Sequence, residues 1–302
     1  MTTRSLCRQE SLALDEPLLG TASVVRRWIL IERDGPWGAD ALHKNRFEVD
    51  AQLKIQELGR LTGARVLLIR RHANKSQTGV RVMCSYTSHT NKWLEEFCLN
   101  SIDDLFDLDL SPLRRGASVG GHSVSQNHFF VCTHGKHDPC CAKYGRPVAV
   151  ALDHEWPERT WETSHIGGDR FAGNVLVLPL GIYYGRVEPS EAVSLMGQLD
   201  RGYLSLDHYR GQSAFALAAQ AAEWWARKEH QWLQLEDLSL DEHNELGGGE
   251  SLTTFLTKSG KNVVVRLIVT QGTARKLTCR AARNGSPSKY QIRSVNIVSK
   301  FR

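Results

Sequence analysis

One segment of eleven residues, Val131-Cys-Thr-His-Gly-Lys-His-Asp-Pro-Cys-Cys141, carries three cysteines, two histidines and one aspartate. Thiolates mixed with imidazole suit zinc or an iron–sulfur cluster. Eight residues separate Cys132 from Cys141, a spacing that lets a loop wrap around a metal group. Cys140 and Cys141 are adjacent, so both do not easily aim at one ion. A second segment, Ser164-His-Ile-Gly-Gly-Asp-Arg-Phe-Ala-Gly-Asn174, adds His165 and Asp169 four residues apart, the spacing of one helical face. Gly167 and Gly168 between them allow the backbone to approach closely. A zinc finger more usually pairs its ligands as C-x₂₋₄-C and H-x₃₋₅-H. A C-x-x-C dithiol motif is absent. The plain alternative, a polar turn with incidental Cys and His, fits so dense a cluster poorly. Cys7, Cys84, Cys98 and Cys279 read as isolated buried or surface thiols.

The elements that must position these residues follow from periodicity. Residues 128–133 alternate into a strand, 141–153 read as a helix with Pro147 as a kink or late start, and 160–166 form a strand. A short helical turn over 168–173, strands over 174–180 and 182–187, and a helix opened by Glu188-Pro-Ser-Glu191 complete a β-α-β-α-β-β-α order. That order is thioredoxin-like. Both chemistry-bearing segments then follow strands on the same side of the sheet, where open α/β sheets bind ligands.

The preceding lobe has a related β-α-β-β-β rhythm: strands over 24–32, 64–70, 79–87 and 92–99, and a helix over Asn45–Leu61. Asp34-Gly-Pro-Trp-Gly38 is a turn. The helix over 213–229 presents Phe215, Leu217, Trp224 and Trp225 as a packing stripe. Glu236 to Glu250, acidic and ending in three glycines, reads as a flexible linker before a small β-rich C-terminal unit. The expected domains are residues 1–120, 121–235 and 251–302.

Residues 251–302 hold eleven Lys and Arg and no Asp or Glu, whereas the first 250 residues hold 27 against 33. The simple account is a basic unit packed on an acidic body. Aromatic residues do not interleave with the charges, so nucleic acid is an unlikely partner. No run of about 18 uncharged apolar residues occurs, so no membrane span is expected. Residues 1–20 lack the apolar core of a secretory signal. Seven cysteines, an odd number, argue against a disulfide scaffold and for a reducing, cytoplasmic setting.

With Leu178-Pro-Leu-Gly-Ile-Tyr-Tyr-Gly-Arg186, Gly20-Thr-Ala22 and Gly35-Pro-Trp-Gly-Ala-Asp-Ala-Leu42 added to the two segments above, the chain resembles the sucrase/ferredoxin-like family over about residues 20–230. The resemblance implies a thioredoxin-like [2Fe-2S] ferredoxin held by two Cys and two His. Carried onto this sequence, it implies Cys132, Cys141 and His165 as ligands. Asp169 stands where the family has its second histidine, and Cys140 or His134 are alternates for that fourth ligand. The implied role is a one-electron carrier with a redox partner protein. A His ligand with an exposed ring N–H would couple reduction to protonation. Two alternatives use the same residues: a mononuclear zinc-binding module, and a thiol redox protein using Cys140 or Cys141 at a helix N-terminus. No pair of carboxylates is placed for glycoside chemistry.

Overall fold

The computed structural model describes residues 5–43, 47–72 and 79–298. Ten strands, numbered in chain order, make one sheet: β1 (Arg27–Glu32), β2 (Arg65–Arg70), β3 (Val80–Thr87), β4 (Lys92–Leu99), β5 (His122–Ser123), β6 (His128–Cys132), β7 (Thr160–Thr163), β8 (Val175–Leu178), β9 (Ile182–Tyr184) and β10 (Tyr209–Gln212). Five α-helices accompany them: α1 (Cys7–Ala13), α2 (Val49–Thr62), α3 (Pro139–Glu155), α4 (Pro189–Asp200) and α5 (Leu217–His230). The central strands are apolar runs rather than alternating ones, and every residue of β6, β7, β8 and β9 is buried. A strand covered on both faces needs no polar alternation.

The order across the sheet is β10-β9-β8-β6-β7-β2-β1-β3-β4-β5. Two arms meet at its middle, where β2 and β7 pair antiparallel through Ile69 with Thr163 and Arg70 with Glu162. In each arm a helix links two parallel strands, α2 between β1 and β2 and α3 between β6 and β7. In each arm two antiparallel strands then extend outward from the first strand, β3 and β4 on one side, β8 and β9 on the other. The fold is therefore mixed α/β, and the two arms repeat one pattern.

Most expected elements stand, with shorter strands. The helix expected over 45–61 runs Val49–Thr62, and its expected start at Asn45 lies outside the described residues. α3 starts earlier than expected because Pro139 takes the first helical position and Asp138 caps it, and the helix continues through Pro147. The packing stripe expected over 213–229 stands for Phe215, which is buried, and for Trp224 and Trp225, which pack against the same core, but not for Leu217. Leu217 is 40 % exposed, while Ala218, Ala219, Ala221, Ala222 and Ala226 form the buried face. Small side chains let α5 approach its neighbours closely.

The linker reading of residues 236–250 is also corrected. Leu238–Gly247 is strand β11, the first of a second, antiparallel sheet with β12 (Glu250–Thr257), β13 (Asn262–Gln271) and β14 (Ser288–Val298). Gly248 and Gly249, at φ +59° and +82°, form the two-residue turn between β11 and β12, a conformation other residues adopt only with strain. The glycines make a hairpin, not a tether. This sheet lays Phe255, Val263, Val265 and Leu267 against Ala219, Ala222 and Ala226 of α5. Among the described residues no helix is long and apolar enough to cross a membrane.

Candidate metal centre

β6 delivers Cys132, 1 % exposed, to the edge of the loop that leads into α3. The Thr133 hydroxyl anchors that loop on Glu162 of β7 at 2.8 Å. The Nε2–H of His134 donates to the Gly38 carbonyl at 2.6 Å, so the Asp34–Gly38 turn of the first arm borders the site. At the end of the loop the Asp138 carboxylate accepts the Cys140 N–H at 2.9 Å. The helix thus begins with Pro139, Cys140 and Cys141. Successive residues turn by about 100° around a helix, so the two cysteines diverge. Cys141 reaches Cys132, and Cys140 points elsewhere. Gly145 permits the approach of α3: a Cβ there would lie 2.0 Å from the Cys132 carbonyl oxygen.

The second loop, after β7, is held by two arginines. Arg65 donates to the carbonyls of His165 (2.7 Å) and Ile166 (3.3 Å). The buried Arg210 donates to the Gly167 carbonyl at 3.0 Å and the Asn174 side chain at 2.8 Å. Burial pushes Arg210 down to about 10. Gly167 and Gly168, at φ +98° and +81°, turn the chain so that Asp169 opens a short 3-10 turn with its side chain 2 % exposed.

These loops bring the expected residues together. Cys132, Cys141 and His165 offer ligand atoms that all lie within 4.8 Å of one another, and so do His137, His165 and Asp169. His165 belongs to both sets. The Cys141 thiol lies 3.1 Å from an Asp169 oxygen, and His165 Nδ1 lies 2.9 Å from the same oxygen. His137 Nε2 is 3.8 Å from the other oxygen, and the His137 ring stacks on His165 with centroids 3.8 Å apart. A cleft of about 400 Å³ lined by His134, His137, Ser164, His165, Arg65 and residues 39–42 opens over this point.

The charges are arranged as a proton-sharing set. The neighbouring Cys141 thiol, together with His165, outweighs burial and holds Cys132 well below the usual thiol range. Cys141 is raised for the complementary reason, by Cys132, burial and Asp169. Burial works against a charge on His165, but Asp169 and Cys132 overcome it and raise the imidazole to about 9. Burial also opposes ionised Asp169, yet His165, Cys141 and His137 keep it below the ordinary carboxylate range. Without metal, the shifts of Cys132 and Asp169 run toward their charged forms, that of Cys141 toward its neutral thiol and that of His165 toward its imidazolium.

Of the alternates for a fourth ligand, Cys140 lies in a different cluster, and His134 is turned to Gly38 with its Nδ1 unpartnered. Sequence reasoning passed over His137. Its signal was present, as a histidine inside the dense segment three residues after His134. The reading of Cys7 and Cys279 as isolated is corrected. Both meet Cys140, which three distant segments converge to produce.

A model of the sucrase/ferredoxin-like family matches residues 18–211. Among curated proteins the chain is similar to altered inheritance of mitochondria protein 32 of Saccharomyces cerevisiae, 30 % identical over 105 residues, covering 30 % of this chain and 34 % of that protein. It is similar to the protein of the same name from Meyerozyma guilliermondii, 28 % identical over 99 residues, covering 29 % of this chain and 35 % of that protein. The match thus spans about a third of the length of these relatives. No solved structure matches.

Proposed function

Because the chain belongs to the sucrase/ferredoxin-like family and its Cys, His and Asp side chains converge on one buried point, we propose that it is an iron–sulfur electron carrier. The proposed ligands of a [2Fe-2S] cluster are Cys132, Cys141 and His165, with Asp169 or His137 as the fourth. The observation that carries this reading is the pair of overlapping ligand sets, two thiols at one end and a histidine–carboxylate group at the other, sharing His165. Such a cluster supplies one reversible electron.

The chain's own residues suit that role. Cys132 and Cys141, almost wholly buried, keep the thiolate end dry. His165 and His137 are half-buried under the cleft and offer the side from which a redox partner protein would exchange electrons. Neutral imidazole in place of thiolate removes negative charge and favours a higher potential, and ionised Asp169 would return part of that charge. The outward strand order β7-β6-β8-β9, with β6 and β7 parallel and β8 and β9 antiparallel to their neighbours, supports a thioredoxin-like unit over about residues 121–235. The first arm, within residues 1–120, repeats the pattern and supports a related lobe. The third unit begins at Leu238 instead of residue 251, because β11 belongs to its sheet. A reducing, cytoplasmic setting is part of the proposal and rests on seven free cysteines.

The competing zinc module has one observation in its favour. Cys132, Cys141 and His165 converge, and an Asp169 oxygen lies 3.1 Å from Cys141 and 2.9 Å from His165, donors of the kind zinc takes. The thiol redox reading is weakened, since Cys140 and Cys141 are both 0 % exposed.

Anaerobic purification followed by a visible spectrum and metal and sulfide analysis separates these readings. A red-brown chain with about two irons and two acid-labile sulfides is expected. A colourless chain with zinc bound to Cys132 and Cys141 would replace the electron-carrier reading with the zinc module.

A further inference from the structure

Beside the centre described above, three thiols meet that are far apart in the chain. Cys7 comes from α1, Cys140 from the first turn of α3, and Cys279 from the stretch between β13 and β14. The Cys140 sulfur lies 3.5 Å from that of Cys7 and 3.5 Å from that of Cys279. Both oxygens of Asp138 lie 3.9 Å from the Cys7 sulfur. The four ligand atoms all fall within 4.8 Å of one another, and no disulfide joins the thiols. Cys7, Asp138 and Cys140 are buried, and Cys279 is half-buried.

We infer that Cys7, Asp138, Cys140 and Cys279 form a second metal site, a closed structural zinc site that ties α1 and the connection between β13 and β14 to the first turn of α3. Three thiols packed around a buried carboxylate make a poor apolar core, since every group either carries or can acquire negative charge. A divalent cation reverses that balance. Three thiolates and one carboxylate oxygen fill the four positions of a tetrahedral zinc and leave none open, which is the arrangement of a structural site.

The surroundings are already aimed at ligands. The Cys7 N–H donates to the Cys279 sulfur at 3.2 Å. The Cys140 and Cys279 N–H groups donate to separate oxygens of Asp138, at 2.9 and 2.7 Å, and orient the carboxylate. Such backbone donors stabilise thiolate and carboxylate ligands. Binding takes one Zn²⁺ and releases the proton of each thiol to solvent, with no change of oxidation state. The divergence of Cys140 from Cys141 serves both centres from one helix end. Cys7 and Cys279 lie outside residues 18–211, so this site is not contained in the family match. Because the ligands come from positions more than a hundred residues apart, zinc binding here would act directly on the stability of the tertiary structure.

The test is metal analysis of the full-length chain isolated under reducing, anaerobic conditions, combined with alkylation and peptide mapping. Zinc near one equivalent is expected, separate from the iron of the first centre. Cys279→Ser and Cys7→Ser should each lose most of that zinc while keeping iron and colour, and Cys132→Ser should lose iron while keeping zinc. Should a serine variant fail to fold, the wild-type chain still decides. Cys7, Cys140 and Cys279 should be protected together and become reactive together when a chelator removes zinc. After chelation, Co²⁺ should give the thiolate-to-cobalt absorption of a tetrahedral site. Zinc retained in full by Cys279→Ser overturns the proposal. So does iron in place of zinc on these thiols, a disulfide between any two of them, or alkylation of all three at the same rate with and without the chelator. Zinc mapped to Cys132 and Cys141 counts against the electron carrier, and protection of the other three thiols remains a separate readout.

Discussion

His165 and Asp169 set the pH behaviour of the first centre. With His165 raised to about 9 by its anionic neighbours, a metal must displace its proton at neutral pH, and also that of Cys141. Affinity of the metal-free chain for added Zn²⁺ at this centre should therefore rise with pH until about 9, with proton release. Calorimetry in buffers of different ionisation enthalpy reads that release, and a pH-independent affinity between 6 and 9 contradicts the assignment. The stability of the metal-free fold runs the other way. A base whose folded pKa is raised contributes fully below its ordinary value, near 6.5, and loses that contribution as pH climbs through about 9. Asp169→Asn removes the nearest anion. It should bring the His165 titration down by at least about one unit, as followed by NMR of the metal-free chain. A His165 that still titrates near 9 would show that Cys132, not Asp169, holds its proton.

Two features at the scale of single elements carry the site. β6 opens with His128, whose Nδ1 accepts the indole N–H of Trp161 on β7 at 3.3 Å. Burial, then Arg71 and Arg159, push His128 down to about 3. The unfolded chain takes up this proton near pH 6.5 and the folded chain does not. The contribution is complete above 6.5 and falls by up to about 1.4 kcal/mol per pH unit as pH drops toward 3. Urea midpoints at pH 7, 5.5 and 4 should fall more steeply for the wild type than for His128→Gln, and parallel falls would refute this. The second feature is the crossing of α3 over the end of β6. Alanine in place of Gly145 would favour the helix by about 1 kcal/mol. Its Cβ, however, would meet the Cys132 carbonyl oxygen at 2.0 Å, a backbone contact that cannot simply rotate away. Gly145→Ala should therefore destabilise the fold by about 1–3 kcal/mol and lower metal loading through displacement of Cys132. Thermal unfolding and metal content check both effects.

Over the whole molecule, the C-terminal sheet and the metal centre are mechanically joined. β12 and β13 cover α5 with Phe255, Val263, Val265 and Leu267. At the other end Arg275 pairs with Glu16, which also accepts from Arg170 at 2.9 Å, and Arg170 follows Asp169 directly. The Tyr290 hydroxyl donates to the Gly20 carbonyl at 3.1 Å. The sheet is thus part of the fold that holds the site. Phe255→Ala should cost about 3–5 kcal/mol. Hydrogen exchange should then rise in α5 as well as in β12. Faster exchange confined to β11–β14 would mean that the sheet opens as a separate unit. The basic C-terminal charge is partly met by acidic partners, as in Lys258 with Glu236 and Arg266 with Glu250.

The sequence alone determined the dense 131–141 segment, the His165–Asp169 pair and the strand–loop–helix context that carries them. These are local features. A Cys, a Pro and a capping Asp within a few positions specify a loop and a helix start, and buried strands declare themselves as apolar runs. Tertiary structure decided which of those residues touch. The stacking of His137 on His165 joins two loops that no periodicity relates. The strand at 238–247 arises because an acidic, mostly exposed segment pairs with β12 through a glycine hairpin, which composition alone reads as a tether. Cys7 and Cys279 become neighbours of Cys140 only when α1 and the connection between β13 and β14 pack beside α3. Local propensity does not encode contacts across more than a hundred residues, whereas the packing of the two sheets and their helices does.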